Sequence, residues 1–289
     1  MSKISVILPV FNRAAMLAEA LESVCNQTRP ADEIIVVDDG SQDGSAACAR
    51  EFAGVKVIEQ SQKGVAAARN RGIRASSHGL IAFLDSDDTW HPAKLMKQTA
   101  FMARNLNIPL SHTDEIWIRG GRRVNPGARY AKSGGAVFAR CVEVCFIAAS
   151  TVIVRRELFD EIGEFDESLP ACEDYDFWLR TACNHEVGYL PEPLTTRREG
   201  HGDQLSHRVE YLDRYRIDAL VKLLRLRALD REKESLVRQT LSDKIAITNR
   251  GLRKKGLSKE LKKMQDIVAE FQIFEPLFDS RCGRERKSK

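Results

Sequence analysis

The strongest constraint on this chain is the rhythm of its first hundred residues, where short apolar runs alternate with segments of helical spacing. Ile4 to Leu8 reads as a strand stopped by Pro9. Met16, Leu17, Ala20, Leu21 and Val24 then recur at helical intervals between Ala14 and Gln27. Ile34 to Val37 is a β-branched run, the pattern of a strand buried on both faces. A turn from Asp39 to Ser45 and an Ala-rich helix ending near Gly54 follow. Val55 to Glu59 reads as a strand, Val65 to Ser76 as a helix, and Leu80 to Leu84 as a fourth strand that delivers the chain to Asp85. Repeated β-α-β units of this kind predict an α/β fold, a mostly parallel sheet flanked by helices.

Sheets of that type bind ligands beyond the carboxyl ends of their strands. Pro9 to Asn12, Asp38 to Ser41 and Asp85 to Asp88 each follow a strand directly. Three polar loops, distant in sequence, are therefore expected along one edge and around one cleft.

Asp85-Ser86-Asp87-Asp88 carries the sharpest chemistry. Carboxylates two apart at a strand end can both face a cleft, and their hard oxygens suit Mg²⁺ or Mn²⁺. Such an ion neutralises charge on a departing diphosphate. Asp88-Thr89 also reads as the cap of a helix with Pro92 in its first turn. Both fit if Asp88 caps while Asp87 binds metal. Asp38-Asp39-Gly40-Ser41 reads as a turn, or as a carboxylate aimed at a nucleobase N–H or a ribose hydroxyl. A calcium loop opening at Asp39 fails, because Arg50 stands at the twelfth position where a bidentate Glu is required.

Gln62 to Gly72 opens a helix with small residues, and a helix N-terminus favours an anion. Arg69 is then placed for a phosphate; a plain Ala-rich helix leaves the Arg69-Asn70-Arg71-Gly72 ending without a reason. Neither GxGxxG nor GxxxxGK[ST] occurs, so dinucleotide and P-loop readings lose their support.

From about Pro109 the pattern loosens. Ser111 to Trp117 and Val152 to Val154 read as strands separated by a Gly-rich basic loop, Gly120 to Gly135. Glu173 to Thr181 has helical spacing, and Tyr189-Leu190 enters an extended segment with Pro191 and Pro193. Past about Arg208 the chain becomes helical and charged, with one apolar stripe through Leu220, Leu223, Leu224 and Leu226 and another through Ile245, Ile247 and Leu252. The expected organisation is an α/β domain over 1–207, split into halves 1–105 and 106–207. A C-terminal helical appendage of two to four helices over 208–280 and a disordered tail over 281–289 complete it.

A formal charge of +4 is too mild for a dedicated nucleic-acid binder. Seven cysteines without a CxxC pair indicate neither a zinc ribbon nor a dithiol redox site, and reduced, mostly buried thiols are expected. The first residues are too short an apolar run for a signal peptide, and no stretch reaches the roughly 18 apolar residues of a spanning helix. A cytoplasmic protein is expected.

Read in order, Ile7-Leu8-Pro9-Val10-Phe11-Asn12, Val36-Val37-Asp38-Asp39-Gly40-Ser41, the Gly64 to Gly72 segment and Phe83-Leu84-Asp85-Ser86-Asp87-Asp88 resemble the family 2 glycosyltransferases of GT-A fold. The likeness covers roughly the first 200 residues. It implies inverting transfer of a sugar from a nucleotide-diphosphate-sugar, with a UDP-sugar the favoured donor. The resemblance further implies that Pro9, Asn12 and Arg13 touch the nucleotide and that Asp39 binds the base. By the same resemblance Lys63, Gly64 and Arg69 would line the nucleotide-sugar pocket, Asp85 and Ser86 would serve the ribose side, and Asp87 would hold the metal on the diphosphate.

The likeness continues in Gly163-Glu164-Phe165-Asp166-Glu167 and in Glu173-Asp174-Tyr175-Asp176-Phe177-Trp178-Leu179-Arg180, where Asp174 matches the family's general base. A carboxylate beside an acceptor hydroxyl can remove its proton as attack begins. Acids in a first helical turn also have a plain dipole reason, and Trp178 reads as core. His201, in the Arg197 to Ser206 segment, is a candidate third metal ligand or a structural histidine, with Arg197 or Arg198 a phosphate contact. The acceptor implied is a glycan or glycolipid of surface polysaccharide synthesis. Arg253-Lys254-Lys255, Lys259 and Lys262-Lys263 read as a solvated helix face, or as peripheral contact with anionic lipid at the inner face of the membrane.

Two competing readings are tested by the same residues. A sugar nucleotidyltransferase wants a Gly-rich, Lys/Arg-bearing loop near residue 10, which Pro9-Val10-Phe11-Asn12-Arg13 is not. A non-catalytic nucleotide-sugar or carbohydrate-binding protein needs no base, and Asp87 and Asp174 are both present.

Overall fold

The structure, a computed structural model, describes residues 2–200, 212–227 and 229–273. It divides into two compact units, Met1–Tyr215 and Arg216–Lys289. His201 and the 281–289 tail lie outside the described residues.

In the first unit the expected alternation appears as β1 (Ile4–Val10), α1 (Ala14–Cys25), β2 (Glu33–Asp38), α2 (Ser45–Arg50), β3 (Val55–Glu59), α3 (Val65–Ala75) and β4 (Leu80–Phe83). These four strands pair in parallel, in the order β3-β2-β1-β4. All seven residues of β1 are buried, as a central strand covered on both faces requires. Leu17, Ala20, Leu21 and Val24 of α1 pack into the core cluster with Ile4, Val6, Leu8 and Val36. Gly72 of α3 allows the helix to lie on β1, because a Cβ there would come within 2.4 Å of Ile7 Cγ2.

Beyond β4 the sheet becomes mixed. The chain continues through β5 (Thr89–Trp90), α4 (Lys94–Arg104), β6 (Leu110–Arg119), β7 (Arg122–Val124), α5 (Phe138–Glu143), β8 (Val152–Arg155), α6 (Arg156–Ile162), α7 (Glu173–Asn184) and β9 (Gly188–Glu199). The order extends as β4-β8-β6-β9-β5, with β7 hairpinned onto β6. β8 runs antiparallel to both neighbours, whereas β9 is parallel to β6. The extended segment with two prolines is thus a full strand, tolerated because register shifts at Thr113/Asp114 and Asp114/Glu115 break the ladder opposite Leu190 to Thr195. The Gly120 to Gly135 stretch is not all loop, since β7 and a 3₁₀ turn (Ala128–Tyr130) lie within it.

Among the described cysteines no disulfide forms; Cys141 and Cys183 are buried, Cys25 is exposed and the others are half-buried. The expectation of mostly buried thiols holds for those two alone.

Three helices follow: α8 (Leu212–Arg225), α9 (Arg231–Lys255) and α10 (Ser258–Phe271). In the second unit Ile217, Leu220, Leu224, Val237, Leu241, Ile245, Leu252, Met264 and Ile267 are buried. The stripe on α9 thus runs Val237, Leu241, Ile245, Thr248 and Leu252, three or four residues apart. Ile247 and Leu226, expected in the stripes, are 55% and 54% exposed. Asp230 caps α9 by accepting a hydrogen bond from the Lys233 N–H. Gly256, at φ +67°, ends it in the left-handed conformation that glycine adopts without penalty.

Candidate active site

The loops after β1 and β2 hold one another. Asn12 takes φ +51°, which asparagine tolerates. Its N–H donates to Ser41 Oγ (2.9 Å), and its Oδ1 accepts from the Gln42 N–H (2.8 Å). Asp43 and Ser45 accept from the Ala14 and Arg13 N–H groups, so a neighbouring loop satisfies the open end of α1.

The two aspartates of this edge differ. Asp39 accepts three hydrogen bonds: Oδ1 from Gln60 Nε2 and the Lys63 N–H, and Oδ2 from the Gly64 N–H, all at 2.8 Å. It fixes the entrance of α3. Asp38 accepts from the Ser41 N–H through Oδ1 (2.6 Å), while its Oδ2 is buried without a hydrogen-bond partner among the described residues.

The carboxylates after β4 lie in a tight turn closed by the Asp88 N–H on the Asp85 carbonyl (3.0 Å). Each meets a different donor, two of them guanidinium groups and one a backbone amide. Asp85 Oδ1 accepts from Arg69 Nη2 (2.7 Å), Asp87 Oδ2 pairs with Arg13 Nη1 (2.7 Å), and Asp88 Oδ1 accepts from the Arg198 N–H (3.0 Å). The helix-capping alternative for Asp88 is not what the structure shows. Thr89-Trp90 forms strand β5, and α4 starts four residues later behind Ala93, with no side-chain cap. Burial, then the charges of Asp87 and Asp85, raise the Asp88 carboxyl well above the usual carboxylate range. Ser86 is buried beside them.

Arg69 joins this edge to the start of α7. It is 3% exposed and also pairs with Glu173 at the start of α7. Its guanidinium lies 5.5 Å from the Phe165 ring centroid. Burial pushes Glu173 up to about 7, against the opposing pull of Arg69, and the nearby Asp174 charge adds to the rise. Asn70, the next residue of α3, makes a two-way clamp with Phe165, donating to its carbonyl (2.8 Å) and accepting from its N–H (3.0 Å). The Gly163 to Glu167 segment is therefore docked on α3.

Asp174 is half-buried in the first turn of α7, after Cys172 at φ +64°. Its Oδ1 accepts from the Tyr175 N–H (2.7 Å), and Cys145 Sγ lies 3.5 Å from its Oδ2. Tyr175 Oη donates to the Val142 carbonyl and Trp178 Nε1 to the Ile147 carbonyl. The buried aromatics of α7 thus pull the 142–147 segment against Asp174. Trp178, 2% exposed, is core as expected.

The structure brings Asn12 and Arg13 to the loops at 41–45 and to Asp87, and brings Asp85, Arg69, Glu173 and Asp174 together. Pro9 is buried inside β1, next to that edge, and Lys63 is exposed at the entrance of α3. Sequence reasoning missed Ser150. Its Oγ accepts from the Asp85 N–H (3.1 Å), and its carbonyl accepts from Trp90 Nε1 (2.7 Å) and Thr195 Oγ1 (3.1 Å). No spacing rule marks a serine whose partners lie 45 to 65 residues away.

Among the described residues no group of three or more Cys, His, Asp or Glu closes into a cage for an ion. The donor chemistry nonetheless suits Mg²⁺ or Mn²⁺. Mg²⁺ beside a nucleotide typically takes one or two carboxylates plus phosphate oxygens, and this turn holds Asp85 and Asp87 two residues apart, close enough for their charges to raise Asp88.

A parallel β3-β2-β1-β4 edge ending in these loops, continued by mixed strands, is the GT-A fold. It aligns with the crystal structure of Staphylococcus aureus TarS 1-349 in complex with UDP-GlcNAc at TM-score 0.71 and 21% identity, over 93% of this chain and 80% of that one. The mannosyltransferase PcManGT from Pyrobaculum calidifontis, in complex with GDP-Man and Mn²⁺, aligns at TM-score 0.63 and 15% identity, over 96% and 87%. The chain belongs to glycosyl transferase family 2, whose model matches residues 5–163. An uncharacterized glycosyltransferase of Rickettsia conorii is 35% identical over 211 residues, 70% of this chain but only 33% of that protein's length. The Escherichia coli UDP-Glc:alpha-D-GlcNAc-diphosphoundecaprenol beta-1,3-glucosyltransferase WfgD is 30% identical over 190 residues, 65% of this chain and 72% of that protein.

Proposed function

We propose that this chain transfers a sugar, with inversion, from a nucleotide-diphosphate-sugar to a hydroxyl of a glycan or lipid-linked acceptor in polysaccharide synthesis. The observation that carries the reading is the buried Arg69, which holds Asp85 at the donor edge and Glu173 beside Asp174 in one contact network. The proximity of these carboxylates supports a reading in which a donor at Asp85 and a base at Asp174 meet in one site.

In this reading Pro9, Asn12 and Arg13 form the nucleotide side with Lys63 and Gly64. Asp39, expected to meet the base, accepts three hydrogen bonds that build the wall of the pocket and keeps an acceptor site on Oδ2 for a base N–H. Asp85 and Ser86 serve the ribose side. Asp87 would hold a divalent cation with the diphosphate, together with His201, exchanging its present partner Arg13 for the metal. The cation supplies charge neutralisation to the departing diphosphate. Asp174 Oδ2 accepts the acceptor's proton as its oxygen attacks the anomeric carbon. Its own hydrogen bond from the Tyr175 N–H fixes the carboxylate's orientation.

The names of TarS with UDP-GlcNAc and of WfgD favour a UDP-sugar, and WfgD's acceptor favours a diphosphate-linked lipid. No helix among the described residues is long and apolar enough to cross a membrane. Arg253, Lys254, Lys255, Lys259 and Lys262 of α9 and α10 would supply peripheral contact with the anionic surface that carries such an acceptor. A thermal-shift panel of nucleotide sugars, with and without Mn²⁺, tests the reading. We expect metal-dependent stabilisation by one diphosphate-sugar; no response from any donor would overturn it.

A further inference from the structure

Glu115 is a buried carboxylate that the reaction above leaves unused. It stands on β6 directly after the register shifts at Thr113/Asp114 and Asp114/Glu115. Irregularities of this kind re-aim a side chain next to a site. The Glu115 side chain is 2% exposed. Oε1 is occupied, accepting from Trp117 Nε1 (2.8 Å) and facing Lys132 Nζ (2.7 Å). Oε2 is buried with no hydrogen-bond partner among the described residues. An acceptor left unmade in a buried place is costly, and more so when ionised.

Its position in the sheet says what could fill that place. Glu115 pairs with Thr195 of β9, which pairs in turn with Trp90, two residues past Asp88. Two residues along β9, Arg197 stacks on the Trp117 ring, 4.7 Å from its centroid. Burial works against the Arg197 charge, and the surrounding charges of Glu115, Asp88 and Glu199 outweigh it. Lys132, which faces Glu115, also donates to the Phe146 carbonyl, next to Cys145, whose Sγ lies 3.5 Å from Asp174 Oδ2. Glu115 is thus linked through Thr195 and Ser150 to the Asp85 to Asp88 end, and through Lys132 to the segment against Asp174. In glycosyl transfer, what lies between the departing diphosphate and the base is the sugar itself. Trp117 is not a stacking platform for it, since Arg197 and Tyr130 already lie against that ring.

We propose that Glu115 Oε2 accepts a hydrogen bond from a hydroxyl of the transferred sugar, making Glu115 a specificity-determining residue, with Lys132 and Trp117 locking its carboxylate. The proposal rests on the glycosyl-transfer reading. A site built to hydrogen-bond a hydroxyl rejects the analogue that lacks it, because its own buried group is then left unpaired.

The test is calorimetric titration of the full chain with UDP, GDP, UDP-glucose, UDP-N-acetylglucosamine and GDP-mannose. Monodeoxy analogues of whichever sugar nucleotide binds are then titrated into wild type, Glu115→Gln and Glu115→Asp. In wild type, removing one particular hydroxyl should weaken binding about tenfold. Each variant should lose about the same factor for the intact sugar, no longer distinguish that deoxy analogue, and hold the bare nucleoside diphosphate within about twofold of wild type. A wild type indifferent to every single hydroxyl overturns the proposal without any variant being needed. So does a folded variant that keeps the wild-type discrimination, or one that loses nucleoside diphosphate and sugar nucleotide in parallel, which marks a structural role. A wild type that binds no nucleotide or sugar nucleotide sinks the functional reading first, and this proposal with it.

Discussion

The two halves of the α/β unit handle charge in opposite ways. From β1 to β4 the strands are apolar inside the sheet, and the acids that matter stand where strands end, at Asp38, Asp39 and Asp85. From α4 onward ionisable groups go into the interior. Lys94 and His112 are fully buried, Glu115 is locked against Lys132, and Glu173 sits under Arg69. The first half positions its site through strand register, which is a local property. The second positions its site through pairings between residues far apart in sequence, and its stability depends on every partner being present.

Arg69 belongs to both halves, so removing it gives the largest effect. Arg69→Met leaves Asp85 and a buried Glu173 without their cation, and breaking a buried pair in this way costs about 3–5 kcal/mol. Urea unfolding should show that loss. A cost below about 1 kcal/mol, the range of surface pairs, would mean the halves are not joined through this residue.

Lys94 sharpens the comparison from within the second half. Its ammonium lies 5.0 Å from the Trp90 ring centroid, donates to Gln98 Oε1 and the Thr151 carbonyl, and has no carboxylate partner among the described residues. Burial lowers its pKa to about 7. Between that value and the ordinary 10.5 the unfolded chain binds a proton that the folded chain does not. Stability from this group therefore rises with pH above 7, by up to about 1.4 kcal/mol per pH unit. Between pH 7 and 9 the wild type should gain about 2 kcal/mol on Lys94→Met. Parallel stability–pH profiles would contradict a neutral buried amine.

Legibility followed the same division. The β-branched run at Ile34 to Val37 and the strand-end acids at Asp38 and Asp85 were readable, because a parallel strand and its loop are written in consecutive residues. Asp174 was legible only through its likeness to a family pattern, since three acids in one helical turn have an ordinary dipole explanation. Ser150, Lys94 and Glu115 carried no signal. Their roles come from hydrogen bonds across the sheet, and a buried lysine or glutamate looks in sequence like a surface one. The helix-capping role open to Asp88 failed for a related reason: a two-residue strand, β5, took the place of the expected first turn by pairing with β9, over a hundred residues later.

A purely local rule should produce the smallest effect. Gly256 ends α9 at φ +67°, with open space where a Cβ would stand. Gly256→Ala should cost only the left-handed backbone penalty, about 1 kcal/mol. A much larger loss, measured by thermal unfolding, would show that the helical unit also relies on close packing at that turn.

The central claim is that the two halves divide the work, the strand-end loops holding the nucleotide and Asp174 doing the proton chemistry. Asp174→Asn, assayed for transfer and for nucleotide binding in the same preparation, tests it most directly. The account predicts that transfer falls about a hundred- to ten-thousand-fold while the nucleotide dissociation constant stays within about twofold of wild type. Unchanged transfer, or a parallel loss of nucleotide binding, would contradict it.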